Sequence, residues 1–153
     1  MANMKNMVED FLAQKRIAVV GVSRSLNKTG DAIYDKFNSH GYEVFPINPH
    51  TKEYKGVPCY ASVEDVPGGV QSAMLITSPE NTEKVVRECA KAGVTHVWMH
   101  RSFGSSVSDE AVEFCRQNGI NVIPGACPMM YLDPDFGHVI IKMFGKVAGF
   151  VPR

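Results

Sequence analysis

No apolar run in this sequence approaches the roughly 18 residues that a membrane-spanning helix needs. The N-terminal stretch MANMKNMVEDFLAQKR carries two acids and no long apolar segment, unlike a secretory signal, so cytoplasmic residence is expected. An excess of one charge is also missing. Sixteen Lys and Arg balance sixteen Asp and Glu. No global field therefore steers the chain toward nucleic acid or an anionic membrane, and neither is expected as a partner. Any anion site must be built locally. Cysteine is sparse: Cys59, Cys89, Cys115 and Cys127 form no C-x-x-C pair and lack zinc-site spacing. In a reducing compartment they should be free thiols. There is also no Ser-His-Asp or paired-carboxylate arrangement that would announce hydrolytic chemistry.

What is present is an alternation of strand-like and helix-like segments over 153 residues, a common length for one domain. The apolar share is 44% and the charged share 21%, which is a globular balance. Residues 4–14 place Met4, Met7, Val8, Phe11 and Leu12 at helical spacing. IAVV at 17–20 is a continuous apolar run, suited to a parallel strand buried on both faces. A helix follows at 30–40 with Gly41 as its C-cap, then a strand at 42–47 that Pro46 brings to an end. Residues 48–71 read mostly as loop, with SVED at 62–65 resembling a capping box before one short helical turn. Further strands are expected at 73–76, 96–99 and 120–123. Helices should fill 79–92 and the stretch from Ser106 or Ser108 to Gln117, with Pro79 near the start of the first. The expectation is an α/β fold: one Rossmann-like domain spanning 1–153, with a five-stranded, mostly parallel sheet and helices on both faces. From about 128 an irregular C-terminal extension follows, in which 139–144 and 147–151 suit a helix or strands equally.

In such a sheet, ligands bind beyond the carboxyl ends of the strands. The first such loop reads GVSRSLNKTG from Gly21 to Gly30. Gly21 allows a sharp exit from the strand, and Gly30 allows close approach at the helix start. The helix N-terminus offers unpaired N–H groups and the positive end of its dipole. Ser23, Ser25 and Thr29 add hydroxyls, and Arg24 and Lys28 add charge. The segment is neither G-x-G-x-x-G nor a P-loop, but it makes a phosphate cradle. The second strand leads into Asn48-Pro49-His50-Thr51-Lys52 rather than into the Asp or Glu that holds ribose hydroxyls in NAD-binding domains. That argues against NAD, and leaves NADP and coenzyme A both open.

IAVVGVSRSLNKTGDAI, VFPINP, GVPCYASVEDVP and LITSPENTEKVVRECAKAGVTHVWMH resemble the stand-alone CoA-binding proteins. They are also similar to the CoA-binding domain of the succinyl-CoA synthetase α-subunit. The resemblance runs over about residues 10–130. It implies coenzyme A or an acyl-CoA as a nucleotide-type cofactor, held without catalysis. It places Gly21, Ser23, Arg24, Lys28 and Gly30 at the pyrophosphate and Asn48 and Pro49 near the adenosine. Lys52 becomes the candidate for the 3′-phosphate, and Tyr60 and Ser62 for the adenosine side of the cleft. Thr77, Ser78 and Pro79 would flank the adenine or the pantetheine arm.

Two departures bear on chemistry. Family members often carry Gln-x-Gly after the fourth strand, where this chain has His100-Arg-Ser-Phe-Gly104. They often carry Asp/Glu-Arg-Cys after the fifth, where this chain has Gly125-Ala-Cys127. His100 and Cys127 are thus the candidate contacts at the thiol end. The alternative to a binding module is an enzyme, either an NADP-dependent oxidoreductase or a CoA-linked transferase, using one of those two residues. No metal site is expected; His100 with His138 falls short of the three or four ligands one needs. A homodimer, or a partner enzyme docked on the apolar tail, completes the set of expected partners.

Overall fold

The computed structural model of this chain describes residues 4–23, 29–101, 105–128 and 131–132. The apolar runs of the sequence become the centre of the molecule. Helix α1 (Met4–Leu12) precedes strand β1 (Arg16–Val20), helix α2 (Thr29–Ser39) and strand β2 (Glu43–Ile47). A hairpin of β3 (Glu53–Tyr54) and β4 (Val57–Pro58) follows, then a 3₁₀ turn at Val63–Asp65. The remainder is β5 (Ser72–Leu75), α3 (Pro79–Lys91), β6 (His96–Met99), α4 (Asp109–Gln117) and β7 (Asn121–Pro124). Five strands form one sheet in the order β2-β1-β5-β6-β7, and every pairing in it is parallel. The expected α/β architecture is therefore observed.

Side chains alternate across this sheet, because successive residues of a strand point to opposite faces. Ile17, Val19, Met74, Trp98 and Ile123 enter one core with Val8 and Phe11 of α1 and Ile33 and Phe37 of α2. Ala18, Val20, Ala73, Leu75, Val97, Met99 and Val122 enter the other, with Val85, Val86 and Cys89 of α3 and Ala111, Val112 and Cys115 of α4. Burial on both faces explains why the strands read as unbroken apolar runs. Cys89 and Cys115 are free, fully buried thiols, as expected. Burial raises both thiol pKa values, that of Cys115 to about 11. No helix among the described residues is long and apolar enough to cross a membrane.

The reading of 48–71 as mostly loop missed the hairpin. Its two central residues, Lys55 (φ 47°) and Gly56 (φ 80°), are both left-handed, the geometry of a two-residue hairpin turn. Two-residue strands are too short to show alternation, and Lys is an uncommon occupant of that turn. The expected cap at Ser62 is present: its hydroxyl accepts from the Glu64 amide at 3.3 Å. Of the two candidate starts for α4, Ser108 is the cap. It accepts from the Ala111 amide at 3.3 Å and donates to Glu83 Oε1 of α3 at 2.8 Å. Ser108→Ala removes both bonds, so it should lower stability by about 1–2 kcal/mol. Urea denaturation should show a lower midpoint at unchanged slope.

Candidate functional site

The order of the sheet reverses between β1 and β5, because the chain moves outward to β2 and then returns to the other side of β1. That reversal opens a crevice at the carboxyl ends of these two strands. Two glycines close its floor. Gly21 leaves β1 at φ 118° and donates its amide to the Ile47 carbonyl at 3.3 Å. A Cβ on Gly21 would overlap the carbonyl oxygen of Ile76, the residue after β5. A Cβ on Gly30, in the first turn of α2, would overlap the carbonyl oxygen of Gly21. Only glycine at both positions lets the β1 exit, the α2 start and the segment after β5 meet. The N-terminal turn of α2 therefore lies beside this crevice. Arg24 and Lys28, expected at the same turn, lie outside the described residues.

Beneath the turn sits a residue that sequence reading passed over. Asp31, in the first turn of α2, is only 2% exposed. Its Oδ1 accepts from the Ser23 amide at 2.9 Å and from the Tyr54 hydroxyl at 2.6 Å. Its Oδ2 accepts from the Ser23 hydroxyl at 2.7 Å. Burial, and then the bond to this carboxylate, raises the Tyr54 hydroxyl well above the ordinary phenol value, so it stays a donor. The hairpin that carries Tyr54 is held to α2 in two further ways. Lys55 Nζ pairs with Asp35 Oδ1 at 2.6 Å, and the Tyr54 ring meets the Tyr34 ring edge-on at 4.8 Å. An acid in a first helical turn is an ordinary dipole partner, which is why Asp31 gave no distinctive signal.

At the end of β2, the Asn48 carboxamide is bonded at both its nitrogen and its oxygen. Its Nδ2 donates to the Val22 carbonyl at 2.8 Å, and its Oδ1 accepts from the His50 amide at 2.8 Å. The position where an acid would hold ribose hydroxyls is instead a bracket tying β2 to the turn after β1. Pro49 and Lys52 are exposed on the loop beyond it. Tyr60 runs alongside β2, its amide donating to the Pro46 carbonyl at 3.0 Å. Its ring rests 6.4 Å from that of Phe45. Ser62 caps the 3₁₀ turn, as described.

On the other wall, the Ile76 amide continues the ladder to the Val20 carbonyl at 2.8 Å. The Thr77 amide donates to Ser106 Oγ at 2.8 Å, and its hydroxyl meets that of Thr82 at 2.6 Å. Ser78 is the N-cap of α3 and Pro79 its first residue. His100, after β6, is 4% exposed, and Cys127, after β7, is 1% exposed. Cys127 lies in the core shared by Trp98 and Phe11. The structure thus brings Gly21, Ser23, Gly30, Asn48 and Thr77 to the switch point and sets His100 and Cys127 in the wall beyond. No described cluster of three or more His, Cys, Asp or Glu could hold a metal ion. A separate groove of about 250 Å³ lies at Arg16, Gly69, Gln71 and Gly93. It opens at the amino ends of the strands, away from this rim. The Arg16 guanidinium is already committed there to the Pro67 and Gly69 carbonyls and to Glu43.

Comparison with known proteins gives this rim a family. The chain matches the family described as the CoA binding domain over residues 15–133, and it belongs to that family. It is 28% identical over 129 residues to the alpha subunit of the ADP-forming acetate–CoA ligase II of Pyrococcus furiosus, covering 79% of this chain and 28% of that one. It is 27% identical to the uncharacterized protein YneT of Bacillus subtilis, covering 74% and 82% of the two chains. Its fold superposes with a TM-score of 0.77 on a hypothetical protein from Pyrococcus horikoshii, at 27% identity and covering 84% and 88%. It also resembles a dinucleotide-forming acetyl-coenzyme A synthetase of Ca. Korarchaeum cryptofilum, solved with phosphate and ADP. That match has a TM-score of 0.61 at 32% identity and covers 71% of this chain and 25% of the other. The chain spans 11% to 28% of the length of three ADP-forming ligases it matches.

Proposed function

We propose that this member of the CoA binding domain family binds coenzyme A or an acyl-CoA as a single, non-catalytic module, with the pyrophosphate at the turn between β1 and α2. One observation carries the reading: Gly21 and Gly30 bring the α2 N-terminus against the switch point, where only glycine fits. A helix N-terminus favours an anion through its backbone N–H groups and dipole, which supports a phosphate at this turn. In this reading Ser23 shapes the turn, and Arg24 and Lys28 neutralise the phosphates. Asn48 and Pro49 lie along the adenosine, Lys52 meets the 3′-phosphate, and Tyr60 and Ser62 border that side. Thr77, Ser78 and Pro79 flank the adenine or the pantetheine arm, which ends toward His100 and Cys127. The bracket made by Asn48, in place of an acid, supports coenzyme A over NAD. The burial of His100 and Cys127 supports holding a ligand over transforming it.

The test is calorimetric titration with coenzyme A, acetyl-CoA, NAD(H) and NADP(H). Coenzyme A or its acyl form should bind at least tenfold more tightly than either nicotinamide cofactor, a difference of about 1.4 kcal/mol. Nicotinamide binding with no CoA binding would sink the reading. Mass spectrometry of the ligand released on denaturing the purified protein is an independent check.

A second reading has its own support. Ligase chains several times longer contain a stretch like this one. The domain then holds coenzyme A for a partner enzyme. Co-purification of an ATP-dependent acyl-CoA-forming activity with the tagged chain would favour it.

A further inference from the structure

Asp31 is a buried charge that the proposed site does not use directly. It lies between two loops that the ligand would touch at different ends. From the turn after β1 it takes both hydrogens of Ser23, at 2.9 Å from the amide and 2.7 Å from the hydroxyl. From the β3–β4 hairpin, which follows the loop assigned to the adenosine, it takes the Tyr54 hydroxyl at 2.6 Å. Three donors at these distances satisfy a carboxylate that is otherwise out of water. Bonds to a charged acceptor are the strong kind, and a donor stranded by removing that acceptor is heavily penalised. The carboxylate is therefore a rigid joint rather than a solvated surface acid.

The same geometry changes what Ser23 can do. Its amide and its single hydroxyl hydrogen are both given to Asp31, so neither is left to donate to an anion. An ionised phosphate is an acceptor and gains nothing from lone pairs. Recognition of the anion then falls to the α2 amides and to basic side chains, while Ser23 holds the turn in shape.

We infer that Asp31 is a positioning residue of the CoA site, fixing the phosphate turn to the hairpin through Ser23 and Tyr54. This rests on the CoA-binding reading above. A competing electrostatic expectation has the opposite sign. A carboxylate near a pyrophosphate repels it, so if repulsion outweighed positioning, removing Asp31 would tighten binding.

Titrations of coenzyme A with wild type, Asp31→Ala, Asp31→Asn and Tyr54→Phe separate these outcomes, each run well below the variant's melting temperature. Asp31→Ala should weaken binding by about tenfold and Tyr54→Phe by about threefold. Asp31→Asn keeps an Oδ1 acceptor for the Ser23 amide and the Tyr54 hydroxyl, so it should restore most of the affinity. The double variant Asp31→Ala/Tyr54→Phe should bind no worse than Asp31→Ala, because the two act through one joint. Unchanged or tighter binding in folded Asp31→Ala and Tyr54→Phe overturns the inference, and a fall in melting temperature alone does too. Should Asp31→Ala fail to fold, Tyr54→Phe decides, since it keeps the ring against Tyr34. Absence of CoA binding in wild type instead overturns the functional reading, and this inference with it.

Discussion

Gly21→Ala should abolish measurable coenzyme A binding and destabilise the fold by several kcal/mol. Two effects add. At φ 118° an alanine is in strained backbone, which costs about 1–3 kcal/mol. The added Cβ would also overlap the Ile76 carbonyl oxygen and sit 2.9 Å from its carbonyl carbon. Neither side can retreat cheaply. Ile76 is held by its amide bond to the Val20 carbonyl, and the following Thr77 by its bond to Ser106. The β1 exit must then part from the segment after β5, and the proposed phosphate turn opens with it. Gly41→Ala is the matched control. Its φ is 82°, but an added Cβ meets nothing within 4 Å, so only the backbone penalty of about 1–2 kcal/mol is expected, with CoA affinity intact. Urea denaturation and CoA calorimetry on both variants check the pair. Equal losses of stability would show that the packing at Ile76 does not matter.

The glycines illustrate which parts of this site were legible in the sequence. Gly21 and Gly30 are punctuation after an apolar run, and a turn of that kind at the end of a first strand has few alternatives. The strands were legible for a related reason. Residues such as Ile17, Ala18, Val19 and Val20 face helices on both sides, so no polar residue interrupts them. Polar side chains were harder to read, because their role depends on partners distant in sequence. Asn48 was noticed for the acid it replaces, yet its work is to tie β2 to Val22 and His50. Lys55 sits in a stretch that reads as loop, and only the fold pairs it with Asp35. Asp31 and Tyr54 are 23 positions apart and meet only because the hairpin folds back onto α2. His100 and Cys127 were expected at the thiol end of the cleft, and the structure buries both.

Trp98→Ala should be the most damaging change in the core, lowering stability by about 3–5 kcal/mol. Against a total of about 5–15 kcal/mol for an ordinary domain, that leaves a marginal fold. The indole is fully buried, with the Phe11 ring edge-on at 5.3 Å and the Tyr131 ring at 5.9 Å. Its Nε1 donates to the Gly125 carbonyl at 2.7 Å, so one side chain joins α1, β6 and the segment leaving β7. Trp98→Phe separates the contributions. It retains an aromatic ring but strands the Gly125 carbonyl, at a cost of about 1–3 kcal/mol. Because Trp98 is the only tryptophan, both variants must be followed by circular dichroism rather than fluorescence. Their effect on the ligand should also differ from that of the Asp31 joint. β6 is separated from β1 by β5, so folded Trp98→Phe should keep its CoA affinity within about twofold, a shift of less than 0.5 kcal/mol. A larger loss of affinity in Trp98→Phe would mean that the segment leaving β7, which the indole anchors at Gly125, contributes to binding as strongly as the turn after β1.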